Sequence, residues 1–365
     1  MIQVKTITAL LDQKFPHAYQ ESYDNCGLLV GDPDQETDKI LICVDVTEDV
    51  MEEAIAEGCG LVVSHHPLIF GGLKKITGQT YVERIVRTAL VHKVAIYAIH
   101  TNLDNHISGL NQILAGKLGL QDLQILSPKN ETLRKLITFC PPDHAEKVRE
   151  AIFTAGAGHI GDYDSCSYNT LGEGTFRALD NANPFVGNKN ELHFEKEIKI
   201  EAIYPVYLEK KIISKMIEAH PYEEVAYDIL LLGNVNTHIG SGMLGTLKET
   251  TTASDFLMQV KNRLGLPIVR FSGNAGSTIQ KVALCGGSGS FLLKDAMKAG
   301  ADAFLTADLK YHDYFVPEGK MVLADIGHYE SEQFSKELIA EILKKNFPNF
   351  AVLKTRVNTN PVKYL

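Results

Sequence analysis

No stretch of this 365-residue chain is long enough and apolar enough to cross a bilayer; its hydrophobic runs are strand-sized, well short of the roughly 20 residues a spanning helix needs. The start, Met1-Ile2-Gln3-Val4-Lys5-Thr6, lacks the basic, apolar and small-residue regions of a signal peptide. The sequence therefore predicts a cytoplasmic protein with no membrane partner. The six cysteines (Cys26, Cys43, Cys59, Cys140, Cys166 and Cys285) form no C-x-x-C pair, which argues against a zinc ribbon or a redox dithiol. Cys43, inside an apolar run, reads as a small buried hydrophobe. Basic excess is missing too: Lys and Arg number 36 against 45 Asp and Glu, for a net charge of −9. Phosphate-backbone binding needs a basic surface, so nucleic acid is not the expected partner.

What is present is an ordinary globular composition, 45% hydrophobic and 22% charged, in a chain long enough for two domains. The first third alternates strand and helix. A helix over Lys5–Phe15 stops at Pro16, and Ile40–Val46 is a β-branched run read as a doubly buried strand. Thr47 then caps a helix with acidic residues in its first turn. A strand at Gly60–Val63, a helix near Tyr81–Val91, a strand ending near His100 and a helix over Leu110–Leu118 follow. The last third repeats the rhythm. Strands lie at Val282–Cys285, Ala303–Thr306 and Met321–Ile326, with helices at Phe291–Lys298 and from Glu330 to Lys345. Phe334, Leu338 and Ile342 form that last helix's core stripe. This predicts an α/β fold, a mixed and mostly parallel sheet flanked by helices.

From about Leu126 to Val235 the pattern turns β-rich. Strand segments are expected at Leu133–Phe139, Ser165–Leu171, Thr175–Phe176, Glu197–Tyr204 and Val225–Leu232, with helices at His144–Ala155 and Glu209–Ala219. That order resembles a ferredoxin-like α+β module. Ser127-Pro128-Lys129-Asn130 and Gly233-Asn234-Val235-Asn236 read as linkers. The sequence thus predicts a discontinuous domain, 1–126 and 236–365, with residues 127–235 inserted.

Chemistry-bearing side chains recur just past apolar runs, where open α/β sheets bind ligands. Ser64-His65-His66-Pro67 follows one run. Neighbouring strand residues point to opposite faces, so both histidines reach one cluster only if the chain turns there. His100-Thr101-Asn102-Leu103-Asp104-Asn105-His106 follows a second run. Asp104 could bridge two cations or simply cap a turn; His100 could be a ligand or hold one in place; His106 reads as surface. His328-Tyr329-Glu330-Ser331-Glu332 follows a third. His328 and Glu332, four apart, share a helix face, whereas Glu330 lies about 160° from Glu332. Asp325 and Glu330 are competing carboxylates.

Imidazole and carboxylate donors without thiolate suit two divalent ions, zinc first, with iron or manganese as alternatives. Such a pair, roughly 3.5–4 Å apart, could activate water and polarise a substrate, which is hydrolase chemistry. His312, in Leu309-Lys310-Tyr311-His312-Asp313, is a candidate general acid or base, and Lys310 a candidate anion contact. Gly286-Gly287-Ser288-Gly289 could receive a phosphate, though it lacks the P-loop's spacing and its G-K-[ST] ending.

Tyr23-Asp24-Asn25-Cys26-Gly27-Leu28-Leu29-Val30-Gly31, Ser64-His65-His66-Pro67-Leu68-Ile69-Phe70, His100 through Asp104, and Gly327-His328 through Glu332 together resemble the Nif-three-like dinuclear metal-centre family. Bacterial members of that family are known as GTP cyclohydrolase I type 2 homologues. The middle segment, with Ala219-His220-Pro221-Tyr222-Glu223-Glu224-Val225-Ala226-Tyr227, is similar to the PII/CutA-like domain of longer members. The resemblance implies His65, His66, Asp104, His328 and Glu332 as ligands of two metal ions, and a nucleotide-type small-molecule substrate. It also implies a homohexamer whose inserted domains make trimer contacts. A regulatory or metal-handling assembly, its inserted domain binding a ligand or partner, is the alternative.

Overall fold

The computed structural model describes all 365 residues, in two compact units: Met1–Pro128 with Thr237–Leu365, and Lys129–Asn236. The first unit holds three sheets rather than the single sheet the alternation suggested: one of five strands, one of six, and a small antiparallel pair, Ile2–Gln3 with Glu36–Thr37. Five strands run in the order Ala351–Lys354, Lys39–Cys43, Leu61–Ser64, Ala95–Ala98 and Gly27–Val30. All neighbours are parallel except the last pair. The three central strands are buried along their whole length bar Lys39. Alternate residues divide between two cores. Ile40, Ile42, Leu61, Val63 and Tyr97 pack on one side with the helix Val4–Lys14 and the C-terminal helix. Leu41, Cys43, Val62 and Ile96 pack on the other with helices Glu48–Ala56 and Tyr81–His92. A period of two with both faces apolar is why these runs look uniformly hydrophobic.

Six strands make the second sheet, in the order Arg270–Ser272, Val322–Asp325, Ala303–Ala307, Thr278–Ser288, Gly240–Thr252 and Gln121–Pro128. Only its middle three are parallel; both flanks are antiparallel. The same alternation sends Val282, Leu284, Leu305 and Val322 to one core, and Ala283, Phe304 and Leu323 to another. The antiparallel edge strands were missed in the sequence. They are short, or are partly solvated and polar, so periodicity marks them weakly.

The helix expected from Glu330 to Lys345 is two helices, His328–Glu332 and Ser335–Asn346. Phe334 sits at the break and packs into the core of the six-stranded sheet, while Leu338 and Ile342 pack against the five-stranded sheet. One straight helix could not serve both cores, so the chain breaks between them.

In the unit Lys129–Asn236 the chain runs strand Leu133–Cys140, helix Ala145–Ala155, strand Tyr168–Arg177, strand Leu192–Pro205, helix Glu209–Ala219, strand Tyr227–Leu231. The four strands are antiparallel in the order fourth, first, third, second. Leu136, Ile200, Ala202 and Tyr204 meet Val148, Ile152, Ile212 and Met216 of the two helices in one core. The two strand fragments expected at 165–171 and 175–176 are one strand, paired without a break from Tyr168↔Glu201 to Arg177↔Leu192. Main-chain pairing carries it through Gly172 and Gly174, where side-chain pattern gives no signal. No helix anywhere in the molecule is long and apolar enough to cross a membrane.

Candidate metal centre

The strands Lys39–Cys43, Leu61–Ser64, Ala95–Ala98, Thr278–Ser288 and Val322–Asp325 deliver their carboxyl ends to one cavity of about 610 Å³ in the first unit, the position at which open α/β sheets take ligands. His65 and His66 follow Ser64. The chain leaves the strand there, with the His65 and His66 N–H groups donating to Cys43 and Val44 carbonyls at 3.1 and 2.9 Å. Adjacent side chains can thereby reach one site. The short helix Thr101–Asp104 carries Asp104, and His100 precedes it. His328 and Glu332 share a face of the five-residue helix after Asp325.

Their polar atoms converge. Glu332 Oε2 lies 2.8 Å from His66 Nε2 and 3.0 Å from His328 Nε2, and those two nitrogens are 3.4 Å apart. The other carboxylate oxygen, Oε1, is 3.9 Å from His65 Nε2, which is 3.6 Å from Asp104 Oδ1. One ring nitrogen from each of His65, His66 and His100 also falls within a 4.8 Å group. Glu332 therefore stands between two clusters of donor atoms, and His66 belongs to both.

The partners of the far ring nitrogens fix what the near ones offer. His65 Nδ1 faces the Ile99 carbonyl at 2.9 Å. His66 Nδ1 faces Asp45 at 2.7 Å, His328 Nδ1 faces Asp308 at 2.7 Å, and His100 Nδ1 faces Asp24 at 2.9 Å. Carbonyls and carboxylates only accept, so each Nδ1 carries the proton and donates. Each neutral imidazole then presents an Nε2 lone pair. This is the arrangement in which a carboxylate or carbonyl orients a metal-binding imidazole.

Lone pairs gathered around a buried carboxylate repel unless a cation lies among them. His65 Nε2 and Asp104 Oδ1 are buried with no hydrogen-bond partner. Glu332 Oε2 has no well-formed hydrogen bond either, although two Nε2 atoms stand within 3.0 Å of it; short distances with poor donor angles fit a shared cation better than hydrogen bonds. With no ion bound, protons must fill the role. Burial lowers the basicity of His66, but Asp45 and Glu332 outweigh it and push its pKa up to about 10. For His328, burial is likewise overcome, by Asp308 and Glu332, and the pKa rises to about 11. Burial pushes Asp104 up, while Glu332, despite its burial, is held well below the usual carboxylate range by His328 and its neighbours. Nitrogen and oxygen donors without thiolate suit zinc, iron or manganese, so the residues present fit a metal.

The competing carboxylates fall outside. Asp325 pairs with Arg270 and accepts from the Gly327 and Leu309 N–H groups, and Glu330 accepts from Asn360 and Tyr364. His312 is a correction. It is exposed beside Tyr311 in the turn Tyr311–Phe315 and does not line the cavity, because the chain after Ala307 leads away from the strand end. Lys310 is also exposed, its N–H capping that turn against Asp313. His106 is no surface residue but packs edge-on against Phe15 at 5.1 Å, and burial drops its pKa to about 4.

The glycine loop has a different use from a phosphate cradle. The amides of Gly286, Gly287 and Gly289 donate to Asn111, Ser331 and Thr306. A Cβ at Gly287, where φ is +62°, would come 2.1 Å from Glu332 Oε1, so this glycine makes room for the carboxylate. Asp24, Asp45 and Asp308 were missed as contributors. Asp24 precedes the strand Gly27–Val30 and Asp45 follows the strand Lys39–Cys43, but their pairing with histidines 76 and 21 positions away leaves no local signal.

The family profile of Duf34/NIF3 (NGG1p interacting factor 3) matches residues 2–361. The chain belongs to the DUF34/NIF3 family. Among NIF3 relatives, the GTP cyclohydrolase 1 type 2 homolog of Halalkalibacterium halodurans is 37% identical over 369 residues, covering 99% of this chain and 98% of that protein. The homolog of the same name from Bacillus subtilis is 38% identical over 370 residues, covering 98% of each. A crystal structure of a Bacillus cereus protein related to NIF3 superposes with a TM-score of 0.86 at 34% identity, covering 100% of this chain and 99% of that one.

Proposed function

We propose that this NIF3 protein is a cytoplasmic, metal-dependent hydrolase that opens a ring of a nucleotide-type small molecule. The observation that carries the reading is the convergence of His65, His66, Asp104, His328 and Glu332, with partnerless buried donor atoms. Two divalent ions, zinc with iron or manganese as alternatives, would be held by these five residues, each imidazole offering its Nε2 and each carboxylate its oxygens. When bound, such ions supply Lewis acidity and a lowered pKa for a water. The protein's own groups do the rest. Asp45 and Asp308 hold the His66 and His328 rings at fixed angles. His100, held by Asp24, turns an Nε2 lone pair towards the cavity, where it can take a proton from water and return it to the leaving ring nitrogen. Hydrolysis then adds one water at the ring carbon and breaks one C–N bond to leave a formamide, and a second water breaks the remaining C–N bond to release formate and a free amine.

The βαββαβ order of the unit Lys129–Asn236, with strands in the sequence fourth, first, third, second, supports a ferredoxin-like inserted domain of the PII/CutA kind. Its last strand, Tyr227–Leu231, is an edge exposed along its length, including Ile229, Leu230 and Leu231. Exposed apolar edges call for a cover, which supports a homo-oligomer, a hexamer with trimer contacts through this unit.

Purified protein is expected to hold close to two transition-metal ions per chain by elemental analysis, and His65→Ala with His66→Ala to hold none. Metal-loaded protein should release formate from a purine substrate and stop with a chelator. Full occupancy in the double variant sinks the metal centre. A second reading, a regulatory or metal-handling assembly, draws support from a separate cavity of about 310 Å³ in the inserted unit, lined by Phe176, Phe185, Tyr222 and Glu197. No turnover across a nucleotide and nucleoside panel would favour it.

A further inference from the structure

We infer that this site binds the planar heterocycle of its substrate and provides nothing for a polyphosphate, so that the molecule it takes is a base or nucleoside rather than a nucleoside triphosphate. The inference rests on the hydrolase reading above and names the substrate class of that same cavity.

Charge comes first. No lysine or arginine lines the cavity of about 610 Å³, whereas Glu21, Asp45, Asp104 and Glu332 do. Asp24 and Asp308 stand directly behind His100 and His328. The carboxylates of Asp24, Asp45, Asp104, Asp308 and Glu332 more than cancel the charge of two dications. A triphosphate would therefore enter a region with no net positive potential to receive it. The adjoining cavity, about 650 Å³, contains Arg270, but Asp308, Asp325 and Glu330 line it as well, and Arg270 is committed to Asp325.

Backbone donors do not make up the difference. Sites that hold phosphate without basic side chains use free amides of a glycine loop or helix start. Here the amides of Gly286, Gly287 and Gly289 are engaged with Asn111, Ser331 and Thr306.

The walls are suited to a ring. Tyr23, Phe70, Tyr81 and Phe291 line the cavity while remaining 54 to 68% exposed. Large aromatic faces left in solvent beside polar groups are stacking platforms that any base can use, because every base has a π-face. Phe70 is positioned by an edge-to-face contact with His100 at 5.8 Å and 90°, which sets an aromatic wall beside the candidate proton acceptor.

The test is calorimetric titration of metal-loaded, full-length protein with guanosine, GMP and GTP, each nucleotide given as its magnesium complex so that it does not strip the centre. Guanosine should bind at least about tenfold tighter than GTP, with GMP between. Phe291→Ala should weaken guanosine about tenfold with metal content unchanged. Affinity that rises with each added phosphate, or no binding of guanosine, overturns the inference. Formate release is read separately. Binding in the expected order without formate from any of the three leaves the ligand class standing and removes the hydrolase reading; formate from GTP alone does the reverse.

Discussion

Asp308 shows how much a single side chain contributes to this centre. Its backbone sits at φ +57°, a left-handed shape that short polar residues tolerate, and from there it accepts from both Ser288 Oγ and His328 Nδ1. Asp45 does the same for His66 and Thr359. Neither touches the space where a cation would lie. Asp45→Asn and Asp308→Asn should nevertheless each weaken metal binding by about 10- to 100-fold, read by chelator competition; affinities equal to the parent would show that ring orientation does not matter here. Gly287→Ala should act by collision. The added carbon would meet Glu332 Oε1 at 2.1 Å in a backbone region unfavourable to alanine, so metal occupancy should fall and stability drop by about 1–3 kcal/mol.

His220 provides a pH test away from the centre. Its Nε2–H donates to the Phe139 carbonyl at 2.9 Å, and its Nδ1 accepts from the Tyr222 N–H at 3.1 Å. Both sites suit only the neutral ring, and burial lowers its pKa below 6.5. The unfolded chain therefore takes up the proton first as pH falls. Stability of the inserted unit should decline from about pH 6.5 downward through the lowered folded value. His220→Gln should flatten that slope in urea unfolding at pH 7.5 and 5.5; an unchanged slope would assign it to other groups.

At the scale of elements, the decisive event is where strands stop. Lys39–Cys43, Leu61–Ser64, Ala95–Ala98, Ala303–Ala307 and Val322–Asp325 are buried, β-branched or small, and read plainly as strands. Each is followed within a few residues by a member of the centre. That regularity is legible in sequence, because doubly buried strands are continuous apolar runs and their exits are the first polar residues after them. Less legible is the break at Phe334, since a stripe of Phe334, Leu338 and Ile342 has perfect helical spacing yet serves two different cores. Phe334→Ala should cost about 3–5 kcal/mol and also loosen the helix that carries His328 and Glu332. Denaturant unfolding of the first unit with metal retention checks both, and a loss of stability without loss of metal would uncouple them.

For the whole molecule, the insertion has a simple route. Gln121–Pro128 and Gly240–Thr252 are antiparallel neighbours, with Pro128 opposite Gly240 and Ser127 opposite Ser241. Residues Lys129–Asn236 thus occupy the place of a hairpin turn, which is why a long segment can enter without disturbing the sheet. Replacing it with a short glycine-containing turn should leave metal binding within about twofold while changing the oligomeric state, measured by elemental analysis and light scattering. Loss of metal in that variant would mean the two units do not fold independently.

By itself, the sequence determined the strand-and-helix rhythm, the β-rich middle and which polar residues stand at strand exits, because each is a local consequence of periodicity or of order along the chain. Only tertiary structure decided that the strands of the first unit divide among separate sheets, that His312, Asp325 and Glu330 lie outside the cluster, and that Asp24, Asp45 and Asp308 stand behind its histidines. Those are matters of distance between residues remote in sequence, and hydrogen bonding and electrostatic repulsion act across space without regard to chain order.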